Sequence, residues 1–320
     1  MQSAGGRFRS AALTLALLAS TPVCAAEPDV PATPSIATSL PFTDPRLALL
    51  AAGIDLRYNY IGEYFNVVSG GVSNGSSFNG RLEQTLYLDL QKISGWRGAE
   101  LHAHVFGIHG QGPGVKHLGD VMSISNIEAL ETVRLFELWI EQSLFDGFLN
   151  IRFGQLAADS EFFVSDTAAQ FFNGTFGWPG TTAANMLQGG PAYPLATPGV
   201  RVALKPSDDF LFQAAIYNGS PADPDAEDGQ RDNRHGLSFR MEDPPLVMAE
   251  AQLGYVFGLA GKLKVGGWYE FSDFTDKLTD QPVAHNSGVY GVIDQALWKA
   301  AFGGRRQFSG AGLGRTQPAE

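Results

Sequence analysis

Residues 132–142 alternate in character. Phe136, Leu138 and Ile140 fall on one parity, and Glu137, Trp139 and Glu141 fall on the other. Successive side chains on a strand point to opposite faces, so the second set shares a face. Carboxylates beside an indole offer acceptors for hydroxyl groups next to a flat apolar surface, which is the chemistry that holds a sugar ring. The same set also reads as an interfacial aromatic flanked by two solvated acids. Trp268 and Glu270, in step with Lys264, repeat the theme. Glu83 lies on the polar parity of its own segment. Arg57, Arg81, Arg152, Arg201 and Lys205 supply the opposing charges. Taken singly, each of these charges reads first as wetted interior that touches no solute.

Other constellations carry less. His102 and His104 share a face with Glu100, a spacing that can ligate zinc, but with no fourth ligand apparent no metal is expected. Segment 223–233 resembles a calcium loop, yet its glycine falls one place late and Arg234 stands where the bidentate acid belongs. Gly110 to Gly114 forms a turn with no dinucleotide-binding context after it. No cofactor is expected. Glu137 and Glu141 as a glycosidase acid/base pair would lie ~13 Å apart on a strand, beyond the ~5–9.5 Å that such mechanisms use.

The elements that must position these groups are strands. The chain has 320 residues with 33 acidic and 22 basic side chains, a formal charge of −11. That sign opposes phosphate binding and argues against nucleic acid as a partner. The 38 glycines, spread along the chain, argue against a helical bundle. Aromatic and aliphatic content is too high for a disordered acidic chain. Arg7 and Arg9 before the apolar run 11–19, then small residues to Ala26, read as a secretory signal peptide over 1–26. Cys24, the one cysteine, lies inside it. Residues 27–52 read as a Pro-rich linker. From 53 onward about eleven period-two segments recur, near 54–60, 82–91, 101–105, 133–142, 149–153, 200–204, 210–216, 237–241, 247–257, 263–271 and 289–297. Many approach the ~9–11 residues that a strand needs to cross a bilayer, and no apolar run reaches the ~18–20 of a membrane helix. Short turns, Ala260-Gly261 among them, alternate with the long segments 107–131, 155–197 and 218–233, as in outer-membrane barrels. The expected fold is therefore all-β, a transmembrane antiparallel β-barrel, with Phe136, Leu138 and Ile140 turned to lipid and Glu137, Trp139 and Glu141 to the lumen. A short helix is expected within 119–130. The long loop holding Phe162, Phe163, Phe171, Phe172 and Trp178 is expected to fold inward and narrow the lumen, because so many aromatics are costly to leave in water.

Several motifs, in order, resemble the carbohydrate-selective outer-membrane porins of the OprB type. They are Gly80-Arg81-Leu82, Gly95-Trp96-Arg97-Gly98-Ala99-Glu100-Leu101-His102 and Arg134-Leu135-Phe136-Glu137-Leu138-Trp139-Ile140-Glu141-Gln142. Arg152-Phe153-Gly154-Gln155-Leu156, Tyr193-Pro194 and Tyr290-Gly291-Val292-Ile293-Asp294-Gln295 follow. The likeness spans about 53 to 300. It implies a barrel of about sixteen strands in the outer membrane, passive diffusion of glucose-like mono- or oligosaccharides, no enzymatic activity, and often a homotrimer. Outer-membrane lipid and the barrel-assembly machinery are the further implied partners. Glu137, Trp139 and Glu141 lie in the strongest motif. Residues 53–300 are thus expected to form a partial barrel of about eleven of sixteen strands, and 301–320, which lack alternation and a terminal aromatic, a non-barrel tail. A chain truncated or frame-shifted within the barrel, and without function, is one alternative. A secreted soluble β-rich carbohydrate-binding protein or glycoside hydrolase is the other.

Overall fold

A computed structural model describes residues 44–275 and 279–298. The expected signal peptide, the linker up to 43 and the tail over 301–320 lie outside the described residues. What remains of the linker is not extended: Pro45–Ala51 forms helix α1, opened by a proline where its missing N–H costs nothing.

Ten strands follow in one antiparallel sheet, each paired with its neighbours in chain order. They are β1 (Ile54–Val67), β2 (Gly75–Asp89), β3 (Ala99–Gly110), β4 (Thr132–Leu144), β5 (Leu149–Leu156), β6 (Thr197–Ser207), β7 (Phe210–Asn218), β8 (Pro245–Phe257), β9 (Leu259–Thr275) and β10 (Pro282–Gln295). No helix among the described residues is long and apolar enough to cross a membrane. One end of the sheet carries tight turns such as 145–148, 208–209 and Gly258. The other carries the segments 111–131, 157–196 and 219–244.

The alternation assigns the two faces. Val133, Val200, Phe212, Ile216, Val265 and Val289 point outward, with Val289 93% exposed and Val133 64%. Burying one such side chain is worth about 1.5–3 kcal/mol. A face made of rows of them is stable against lipid, not against water. The opposite face carries Arg81, Glu83, Glu137, Trp139, Glu141, Arg152, Arg201, Lys264, Trp268 and Glu270, as the register of β2 to β9 requires.

Four sequence expectations are corrected. The described residues hold ten strands, because 237–241 is not one. Asn218 pairs directly with Pro245, so β7 and β8 are neighbours in the sheet with no strand between them, and Leu237, Phe239 and Met241 are exposed in the loop that joins them. The helix expected within 119–130 is absent. A single π-turn at Gly114–Leu118 precedes it instead. Ala260-Gly261 is not a turn but the start of β9; the reversal falls at Gly258, with φ +69°. Phe136 does not face lipid. A bulge between the pairs Val105–Leu135 and His104–Glu137 inserts it as an extra residue, so the inward parity is even up to Phe136 and odd from Glu137 onward. Phe136 is 5% exposed, packed with Phe106 and Ala157.

Gly154 shows how tightly the inner face closes. Its φ is +140°. A Cβ there would collide with the Leu138 carbonyl oxygen and stand 2.7 Å from the Trp139 Cα. Gly147, with φ +85°, has nothing within 4 Å. Gly154→Ala is expected to destabilise the folded sheet by about 2–3 kcal/mol and Gly147→Ala by about 1 kcal/mol. Denaturant titration of the heat-modifiable folded form measures both, and equal losses would contradict the packing described.

Candidate functional site

The inner face meets a loop. Segment 157–196 folds back across β4 to β10, and its aromatics divide into two groups. Phe162 is fully buried in a cluster with Trp139, Tyr217, Met248 and Trp268, and Phe163 and Trp178 pack against that cluster. Phe171 and Phe172 are about half exposed, at 54% and 56%. Phe163 also stacks on Tyr290 of β10, with ring centroids 3.6 Å apart.

Wall side chains hold the loop by its main chain. Glu137 Oε1 accepts the Ala157 N–H (3.2 Å) and the Ser160 hydroxyl (2.9 Å). Glu250 accepts the Phe163 N–H (3.2 Å) and the Tyr290 hydroxyl (2.7 Å). Glu270 accepts the Leu187 N–H at 3.4 Å. In the opposite sense, Lys264 donates to the Val164 carbonyl at 2.6 Å and Gln213 to the Glu161 carbonyl at 2.6 Å. Hydrogen bonds to a charged group contribute ≈ 1.5–3 kcal/mol each. Those made by Glu137, Glu250 and Glu270 satisfy amides that no sheet partner reaches.

Four charges form a ladder between wall and loop. Arg152 Nη2 lies 2.8 Å and Arg201 Nη2 2.9 Å from Glu141 Oε2. Glu161, from the loop, pairs with both arginines, its Oε2 lying 3.2 Å from Arg201 Nε. The Arg152 guanidinium lies over the Trp139 ring, 3.6 Å from its centroid. A second group lies on β2. Arg81 pairs with Glu83 and stands over the rings of Phe106 (4.8 Å) and Tyr193 (4.7 Å). Between the loop and β10 lies a cavity of about 650 Å³ lined by Phe163, Phe176, Trp268, Asn286 and Tyr290 among others.

The structure therefore brings Glu141, Arg152 and Arg201 together and places Glu137, Trp139, Trp268 and Glu270 beneath the loop. Arg81 and Glu83 form a separate pair. Sequence reasoning missed Glu161 and Glu250. Glu250 lies on the even parity of β8 beside Met248 and Leu246, which reads as an apolar face. Arg134 was a usable signal. It is fully buried and donates to the Arg234 carbonyl at 2.9 Å and the Gln230 carbonyl at 2.8 Å. On the parity assumed from the sequence it would have faced lipid, at a cost of about 2–4 kcal/mol.

Inside the loop, Asp159 Oδ2 accepts the Tyr193 N–H at 2.8 Å, and Oδ1 is enclosed without a partner. Desolvation by burial pushes the Asp159 carboxyl up from 3.8 to about 6, against the pull of that N–H. A raised carboxyl favours the protonated folded state. Its contribution to stability is full below the ordinary value and is lost as pH rises through about 6. Asp159→Asn is thus expected to gain stability over wild type at ~pH 7.5 and to lose that gain by ~pH 4. Denaturant unfolding at the two pH values checks this, and a pH-independent difference would contradict it.

A lipid-facing antiparallel sheet with charged inner walls and an inward-folded loop defines a porin. Residues 73–313 match the model of the carbohydrate-selective porin, OprB family, and the chain belongs to that family. It is an outer-membrane protein of a family of channels, not of enzymes. Porin B of Pseudomonas aeruginosa is 25% identical over 257 residues, covering 74% of this chain and 54% of that protein. A solved high-pH structure of Pseudomonas putida OprB superposes with a TM-score of 0.66 at 22% identity, covering 78% of this chain and 63% of the other. The chain thus spans a little over half to about three fifths of the relatives it matches.

Proposed function

We propose that this chain forms the wall and constriction of a channel through which mono- and oligosaccharides of the glucose type diffuse passively across the outer membrane. The observation that supports it best is the pairing of an apolar outer face with an inner face of opposed charges narrowed by an aromatic loop. Partly exposed charges lower the cost of stripping water from a sugar by replacing its hydrogen bonds. Arg81, Glu83, Glu141 and Arg152 keep 13–18% of their side-chain surface open and are the groups assigned to the sugar path. Arg201 sets the geometry of Glu141. Trp268 contributes a ring to the cavity beside β10. Glu137, Trp139 and Glu270 stand behind them and position the loop, with Phe162, Phe163 and Trp178 as its anchors. Phe171 and Phe172 offer stacking surfaces on the loop's open side. The outer face contacts lipid, the barrel-assembly machinery inserts the chain, and a homotrimer is the expected assembly.

The test is swelling of liposomes that carry the folded full chain, in glucose and in an ethylene glycol oligomer of similar size. The reading predicts faster entry of glucose. Arg81→Ala is expected to reduce that preference roughly ten-fold, the ~1.5 kcal/mol of one hydrogen bond to a charged group. Equal entry of both solutes would contradict carbohydrate selectivity. A chain that yields no heat-modifiable form and no permeability would favour the non-functional alternative. Recovery from the periplasm without detergent would favour the soluble one.

A further inference from the structure

The porin reading leaves two inner-face histidines unused. His102 and His104 sit on the inner face of β3. Across the strand pair His102 faces Trp139 and His104 faces Glu137. One nitrogen from each imidazole and one Glu137 oxygen lie within 4.8 Å of one another. His102 Nε2 is 3.8 Å from Glu137 Oε2. Glu137 Oε1 is the oxygen that holds Ala157 and Ser160, which leaves Oε2 for a ligand.

The decisive observation is an unsatisfied histidine. His102 is 96% buried, at 4% exposure, and neither of its ring nitrogens has a hydrogen-bond partner; His104 Nε2 also lacks one. Buried polar atoms are nearly always paired, and orphans of this kind point to a missing water or ion. Both rings are also held in place. His102 lies between Trp139 (4.4 Å, nearly parallel) and Tyr87 (4.5 Å). His104 packs edge-on against Phe106 at 4.5 Å. Three convergent nitrogen and oxygen donors on a rigid wall suit a borderline divalent ion. The sequence pairs these histidines with Glu100. The β4 bulge brings Glu137 to them instead.

We propose that His102, His104 and Glu137 bind one divalent transition-metal ion of the zinc class, with the fourth position open to water. Zinc bonds to such donors are about 2.0–2.2 Å long, which sets tetrahedral donors about 3.3 Å apart. The cluster therefore contracts by an ångström or so on binding. Because Glu137 also holds Ala157 and Ser160, the ion ties strands β3 and β4 to the start of the loop. It adds two positive charges beside Arg152, whose own charge is already matched by Glu141 and Glu161.

The experiment is equilibrium dialysis of the detergent-folded full chain against Zn2+, with His104→Ala and Glu137→Gln beside wild type. One ion per wild-type chain is expected, with affinity at least about ten-fold weaker in each variant. No bound ion, or equal binding in the variants, overturns the proposal. Should a variant fail to fold, X-ray absorption of zinc-loaded wild type decides instead. Two imidazoles with oxygen completing the shell are expected. A shell with no imidazole, or with another number of them, assigns the ion elsewhere. Sugar diffusion is read separately by swelling, so failure of that reading leaves this result unaffected.

Discussion

A loop that lies against the inner face of a porin wall must find partners for every peptide group it takes out of water. That constraint shapes the inner wall of this protein. Segment 157–196 has no sheet neighbour along most of its length, so its amides and carbonyls bond to wall side chains: Glu137, Glu250 and Glu270 accept, Lys264 and Gln213 donate. An unpaired buried amide costs ≈ 1–3 kcal/mol, so these contacts decide where the loop rests. The aromatics follow from the same placement. Once Phe162 is drawn under Trp139 and Tyr217, the loop has an apolar underside and a charged edge, where Glu161 meets Arg152 and Arg201.

The lipid face and the bulge solve one geometric problem together. A strand alternates without exception, so a wall that needs Arg134, Phe136 and Glu137 all inside cannot be regular. The extra residue in β4 switches parity between Phe136 and Glu137. Arg134, which also donates to the Pro194 carbonyl at 3.4 Å, then ties segments 157–196 and 219–244 from beneath while Leu138 and Ile140 stay on the outer face. Glu137 lands beside the histidines of β3 instead of in lipid.

Most of the fold was legible because lipid and lumen impose opposite chemistry at period two. Strands such as β2 and β6 read cleanly, with leucine or valine on one parity and charges on the other. Residues 237–241 mimic that pattern without any strand beside them to pair with, and only the register of Asn218 with Pro245 removes them from the sheet. Of the site, Glu141, Arg152 and Arg201 were readable as inward charges. Their partner Glu161 was not, since loop residues have no period to betray their direction. Glu250 was hidden among Leu246 and Met248, because the loop makes that part of the lumen apolar. The bulge has no compositional signal of its own; its trace was the arginine at 134, misplaced on the assumed parity.

The most direct test is hydrogen exchange on the folded chain in detergent, read at the amides of Ala157, Phe163 and Leu187. If wall carboxylates hold the loop against the inner face of the sheet, these amides exchange about as slowly as those of β5 and β6 on either side. Exchange as fast as that of an open loop would mean that the loop is not seated on the wall, and that the constriction described above does not exist in the folded protein.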